Sequence, residues 1–360
     1  MEEKKKKIKL KKKEGVIGNN LTQENIEEIF KTYFKNEEDK ESKKFNNFLL
    51  KKEVLDGKVI DKNTYYDFLY PSLDDTNFNI KIAEKKEFND NQYDGEIRNV
   101  EEYAEKMCDA EMELSPHQLF VKNFLSFQTP YNSLLLYHGL GTGKTCSAIG
   151  VAEEMRDYLK QLGIMQRIIV VASPNVQENF KLQLFDERKL KEINGLWNIK
   201  SCTGNKYLKE INPMSMKGLS KEKVVLQITR LINTSYIFMG YVEFANYVNK
   251  KSTTDESNPT IAKREMIRNL KKNFNNRFII IDEIHNVRIT DDNDNKRAAL
   301  ELFKLVKYVD NLRLLLLSAT PMYNSNKEIV WLLNLMNLND KRATIDESEL
   351  FDKEGNLLVD

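Results

Sequence analysis

One segment constrains this chain more than any other: Leu134-Leu135-Leu136-Tyr137-His138-Gly139-Leu140-Gly141-Thr142-Gly143-Lys144-Thr145. A short apolar run, sized for a buried strand, breaks into a glycine turn. It continues as a stretch in which Ala148, Val151, Ala152, Met155 and Leu159 recur at helical spacing. Strand, glycine turn and helix in that order make an anion cradle. Glycines let successive backbone N–H groups curl around an anion without interference from Cβ atoms. The helix N-terminus adds unsatisfied donors and a partial positive charge. Lys144 is placed to reach the β- and γ-phosphates of ATP, and the Thr145 hydroxyl to ligate Mg²⁺. The candidate ATP-binding residues are His138, Gly139, Leu140, Gly141, Thr142, Gly143, Lys144, Thr145 and Cys146. His138 stands where the usual pattern has its first glycine; it reads as a strand-end residue, with Gly139 and Gly141 supplying the flexibility.

A second apolar run, Phe278–Ile281, ends in Asp282-Glu283-Ile284-His285. A strand fixes its last residue at the carboxyl edge of a sheet, where α/β proteins bind ligands. Asp282 is expected to hold Mg²⁺ and Glu283 to orient and deprotonate an attacking water, the two needs of phosphoryl transfer to water. Downstream, the run Leu312–Leu317 leads into Ser318-Ala319-Thr320, which reads as a capping turn or as hydroxyls that couple to the acidic pair, with His285 a further coupling candidate. Upstream lies Ser115-Pro116-His117-Gln118. The Gln118 amide suits an adenine edge and suits a helix start equally. Ser173-Pro174-Asn175, Thr203-Gly204 and Gly240 follow apolar runs and are candidates for contact with a nucleic-acid backbone, without sequence readout.

Apolar runs at Leu134–Tyr137, Arg167–Ala172, Ser235–Met239, Phe278–Asp282 and Leu312–Ser318 alternate with helical stretches, notably Thr145–Leu162 and Arg297–Tyr308. The fold class is therefore α/β, a mainly parallel sheet with helices on both faces. Residues 113–340 are read as this domain and 341–360 as a tail or linker. Residues 21–112 are read as a charged, partly helical extension with loops at Asp74–Asn79 and Asn89–Asp94. Residues 1–20 are read as a lysine-rich disordered tail, and Lys250–Lys263 as a polar, mobile loop. The formal net charge of +1 excludes a chain that is basic throughout, so a nucleic-acid surface must be local. Cys108, Cys146 and Cys202 show no metal-ligand spacing and read as reduced thiols of a soluble intracellular protein. No apolar run reaches the ~18 residues of a membrane span.

Gln118, Gly139–Thr145, Asp282–His285 and Ser318–Thr320 stand in an order that resembles the first RecA-like domain of superfamily II helicases of the DExH-box, Swi/Snf-like kind. Tyr137–Thr145, Asp282–Asn286 and Ser318–Asn324 are most similar to the helicase-like ATPases of large nucleocytoplasmic DNA viruses, the type of the poxvirus early transcription factor small subunit and nucleoside triphosphatase I. The resemblance implies a P-loop ATP hydrolase driving movement on DNA or RNA, with viral transcription machinery as a partner and a virion or cytoplasmic viral factory as its place. It also implies a second RecA-like lobe. From Ser325 to Asp360 only 36 residues follow, too few for a domain of ~150 residues, so slow hydrolysis by this chain alone is expected. The alternative is a non-hydrolysing, nucleotide-dependent binding subunit of a viral transcription or virion complex. Gln118 and Ser318–Thr320 argue against a third reading, a P-loop kinase or transport ATPase.

Overall fold

The computed structural model describes residues 70–92, 95, 99, 114–139, 141–287, 293–322, 326–352 and 355–358. Its centre is a sheet of five parallel strands: β1 (Ser133–Tyr137), β2 (Ile168–Val171), β5 (Tyr236–Met239), β6 (Phe278–Ile281) and β7 (Arg313–Ser318). Their spatial order is β1-β7-β6-β2-β5. A parallel sheet needs cover on both faces, and its strands are apolar on both. Ile168, Val170, Phe278, Ile280, Leu315 and Leu317 face one layer, which includes Ala148, Ile149, Ala152 and Met155 of the helix Lys144–Gln161. The alternate residues Ile169, Val171, Ile279, Ile281, Leu314 and Leu316 are just as deeply buried. Helices Tyr241–Ser252, Pro259–Phe274, Asn293–Tyr308 and Glu328–Asn339 pack on one another as the second layer. All five expected strands are present, within a residue or so of their expected ends.

Three expectations need correction. Lys250–Lys263 is helical at both ends, and only 253–258 lies outside a helix. The helix Tyr241–Ser252 runs into it and the helix Pro259–Phe274 starts within it. Asn258 caps the second helix, its Oδ1 accepting from Thr260 N at 3.0 Å, and Pro259 sits in the first turn, where a missing N–H costs nothing. Cys146 and Cys202 are joined in a disulfide, with Cα atoms 5.2 Å apart across 56 residues of sequence; chain spacing carries no information about a pairing that the fold creates. Phe78 and Asn79, expected in a loop, open the helix Phe78–Glu84. The lysine tail and most of the extension lie outside the described residues.

A small antiparallel hairpin was not foreseen: β3 (Leu190–Ile193) and β4 (Leu196–Ile199). Its two-residue turn is Asn194-Gly195, both at positive φ (54° and 77°), the geometry such turns demand. Behind it, Glu153 of the helix Lys144–Gln161 is buried yet ionised. Burial pushes its carboxyl up, but Lys206 and Arg156, with the Tyr236 and Tyr207 hydroxyls, outweigh burial and hold it below its ordinary value. Tyr207 donates to it at 2.7 Å and Lys206 lies 3.0 Å away, so the helix after the glycine turn is tied to the segment that carries Thr203 and Gly204. Among the described residues no helix is long and apolar enough to cross a membrane.

Candidate nucleotide site

The strand register decides what meets at the carboxyl edge. Tyr137 at the end of β1 lies opposite Ser318 at the end of β7. Ile281, the last residue of β6, lies opposite Leu316 of β7. The glycine turn, Ser318 and the acidic pair therefore leave one edge of three adjacent parallel strands.

Gly141 and Gly143 both sit at φ 79°, a conformation that other L-residues rarely adopt. A Cβ on Gly143 would also lie 2.4 Å from Gln118 Nε2. The Lys144 ammonium donates to the carbonyls of His138 (2.8 Å) and Gly139 (3.2 Å), and the Thr142 hydroxyl to Gly139 O (2.9 Å), so the loop is curled on itself around its lysine. Leu140 lies outside the described residues. The Cys146 side chain is turned into the disulfide, which leaves its backbone N–H for an anion.

Gln118 is 7% exposed and its amide is engaged at both ends. Oε1 accepts from Ser115 N at 3.0 Å, closing a capping box, and Nε2 donates to Gly143 O at 3.3 Å. The helix-start reading of Gln118 is what the structure shows, with a direct brace on the phosphate loop in addition. His117, to which the sequence assigned nothing, donates from Nε2 to Thr142 O at 3.0 Å and meets the His138 ring edge-on, centroids 5.8 Å apart. Burial, then the charges of His117 and Lys144, hold His138 below its ordinary pKa. No spacing rule marks His117; its contact spans 25 residues and exists only in the fold.

Asp282 is 6% exposed. Its N–H extends the ladder to Val171 O (2.9 Å), and its Oδ1 accepts from Glu283 N (2.9 Å). Glu283 has a left-handed backbone, φ 48° and ψ 55°, unusual for a residue with a side chain. Its Oε2 is buried without a hydrogen bond, and His285 Nδ1 stands 3.3 Å from it. The same Nδ1 is 3.0 Å from Ser318 Oγ, which also accepts from Thr320 N at 3.0 Å. Glu283, His285, Ser318 and Thr320 thus form one chain of contacts, bordered by Ala319. A carboxylate and a hydroxyl are hard oxygen donors that suit Mg²⁺, which takes few protein ligands when phosphates supply the rest. Among the described residues no cluster of three or more acidic, His or Cys side chains could hold a metal by itself. The orphaned Glu283 oxygen and the buried Asp282 carboxylate fit a site completed by a ligand.

Burial pushes the Asp282 carboxyl up to about 6; the Glu283 charge adds to this, while the Glu283 N–H and Lys144 oppose it. Keeping it ionised in the fold costs on the order of 2–3 kcal/mol relative to the unfolded chain. Because the folded pKa is the higher one, the cost is absent below about pH 4, grows up to about pH 6 and is complete above it. Without nucleotide or magnesium, Asp282→Asn is expected to raise the melting temperature at pH 8 by about 5 °C or more. The gain should shrink as the pH is lowered towards 5. Asp340 is also pushed up to about 6 by burial, but it is common to both proteins and cancels in their difference. Equal melting at pH 8 would contradict this account of Asp282.

Two of the candidate nucleic-acid segments leave the same edge of the sheet as the acidic pair. β2 and β5 are adjacent, Val171 opposite Met239. Ser173 and Gly240 follow them as N-caps of the helices Pro174–Leu184 and Tyr241–Ser252, with Pro174 and Asn175 exposed. Thr203 differs: its hydroxyl donates to Leu184 O at 3.0 Å and is spent inside the fold. Gly204, at φ 50°, leaves only backbone there.

A strand, glycine turn and helix beside a strand-borne acidic pair in one parallel sheet define a RecA-like α/β domain of helicase type. The SNF2-related domain family matches residues 117–354, and the chain belongs to that family. It is 26% identical over 318 residues to a protein of Acanthamoeba polyphaga mimivirus named as a candidate ATP-dependent RNA helicase, covering 84% of this chain and 25% of that protein. It is 28% identical over 280 residues to a candidate helicase of Invertebrate iridescent virus 3, covering 75% and 24%. It is 25% identical over 289 residues to the early transcription factor large subunit homologue of African swine fever virus, covering 68% and 25%. The chain spans about a quarter of the length of each of these relatives.

Proposed function

We propose that the chain is the ATP-binding lobe of a helicase or translocase that couples Mg-ATP hydrolysis to movement on DNA or RNA, in viral transcription or genome handling. The supporting observation is the single sheet edge that carries Lys144, Asp282, Glu283 and the His285–Ser318 pair. Phosphoryl transfer to water asks for position and charge neutralisation more than covalent help. Lys144 releases its loop carbonyls and takes the β- and γ-phosphates. Thr145 and Asp282 hold the magnesium, which neutralises phosphate charge when bound. Glu283, whose Oε2 accepts no hydrogen bond, orients the water and takes its proton. His285, Ser318 and Thr320 pass the state of that carboxylate to the rest of the sheet. Gln118 and His117 sense the phosphate loop through Gly143 and Thr142. Ser173–Asn175, Gly204 and Gly240 follow a nucleic-acid backbone. Residues 113–340 are the working lobe in this reading, 21–112 an accessory extension, and a virion or cytoplasmic viral factory its setting.

In this reading ATP is closed over by a second RecA-like lobe, a reading supported by relatives of which the aligned part of this chain covers only about a quarter. An arginine finger from such a lobe is worth ~10³–10⁵ in turnover. The 360-residue chain is therefore expected to bind Mg-ATP and to hydrolyse it slowly, with little stimulation by DNA or RNA. Steady-state phosphate release by a verified monomer, with and without single- and double-stranded nucleic acid, tests this. Fast, nucleic-acid-stimulated turnover would refute the need for a second lobe. ATP binding with no turnover under any condition would favour a nucleotide-dependent binding subunit instead.

A further inference from the structure

Tyr241 opens the helix that follows β5, directly after Gly240. Its hydroxyl donates to the main-chain carbonyl of Asp282 at 2.9 Å and is hydrogen-bonded to the Asn286 side chain. That carbonyl belongs to the peptide joining Asp282 to Glu283. The N–H of the same peptide donates to Asp282 Oδ1 at 2.9 Å. Both polar ends of one peptide plane are thus held, and the residue that leaves it, Glu283, stands at φ 48°. A side-chain-bearing residue keeps a left-handed backbone only where its surroundings over-determine it. Holding this peptide plane restricts φ at Glu283, and so the direction in which its Cα–Cβ bond leaves the plane. The Asp282 Oδ1 contact is made by the carboxylate that the proposed magnesium would engage. The Tyr241 contact does not use that carboxylate and comes from the helix after β5.

We infer that Tyr241 is a positioning residue for Glu283, fixing the Asp282–Glu283 peptide from the end of β5, where Gly240 lies. This rests on the ATPase reading above. It also gives that reading a physical link between the edge proposed to follow nucleic acid and the group proposed to activate water.

Tyr241→Phe removes the hydroxyl and keeps the ring that packs. The test compares wild type, Tyr241→Phe, Glu283→Gln and the double variant in the 360-residue chain, by Mg-ATP affinity from titration calorimetry and by single-turnover hydrolysis at saturating ATP. The expected result is an affinity within twofold of wild type and a rate about five- to tenfold lower, the scale of one hydrogen bond. In the Glu283→Gln background the Phe substitution should add nothing, because its effect runs through the missing carboxylate. A wild-type rate in Tyr241→Phe, or an equal loss with and without Glu283, overturns the inference while leaving the ATPase reading standing. A wild-type chain that binds ATP and never turns it over overturns both.

Discussion

Glu283→Gln is expected to bind Mg-ATP as tightly as wild type, within about twofold, and to turn it over at least ~100-fold more slowly, the usual weight of a general base. Gln is nearly the same size and can still hydrogen-bond, but it cannot accept a proton at neutral pH. The left-handed backbone at position 283 is no harder for Gln than for Glu, so the fold is not the variable. The structure gives this substitution its sharp reading: Glu283 Oε2 is buried with no hydrogen bond, so removing its charge breaks no such bond to that oxygen. Calorimetric affinity beside single-turnover hydrolysis separates binding from chemistry. Turnover within a few-fold of wild type would remove Glu283 from the role of base.

Lys144→Ala is expected to weaken Mg-ATP binding by about 10- to 100-fold, the worth of a charge-assisted hydrogen bond to phosphate. Among the described residues the ammonium bonds the carbonyls of His138 and Gly139. Gly139 is exposed, so water can replace that contact when the lysine is removed. The melting temperature of the unliganded chain should therefore move by no more than a few degrees. Titration of both proteins with ATP and magnesium, beside their melting curves, checks both parts. Undiminished ATP affinity would show that the phosphates do not lie in this loop.

Much of the frame was legible in the sequence because parallel strands announce themselves. Ile168–Val171 and Leu314–Leu317 are buried on both faces and read as unbroken apolar runs. The glycine turn and the acidic pair were legible for the same reason, each attached to such a run. What went unread had weaker local signals. The strands of the β3–β4 hairpin include Lys191, Glu192 and Asn198, so only the Asn194-Gly195 pair announced the turn. The helix Pro259–Phe274 hides its apolar stripe among lysines and arginines, although Asn258-Pro259 is a ready-made start. The contacts of His117 with Thr142, Tyr241 with Asp282 and Cys146 with Cys202 join segments 25, 41 and 56 residues apart. A pairing made by topology leaves no mark on the spacing of its partners. Gln118 could be read as facing a ligand or as starting a helix; its amide faces the loop backbone and Ser115.

The account stands on one spatial claim, that a single triphosphate with its magnesium sits between the turn before Lys144 and the carboxylates after Ile281. Crystallography of this chain with magnesium and a non-hydrolysable ATP analogue measures that directly. The account predicts the β- and γ-phosphates against the backbone N–H groups of Gly141–Thr145, and the metal between the Thr145 hydroxyl and the Asp282 carboxylate. Nucleotide bound elsewhere, or bound in this loop with the metal remote from Asp282, would contradict it.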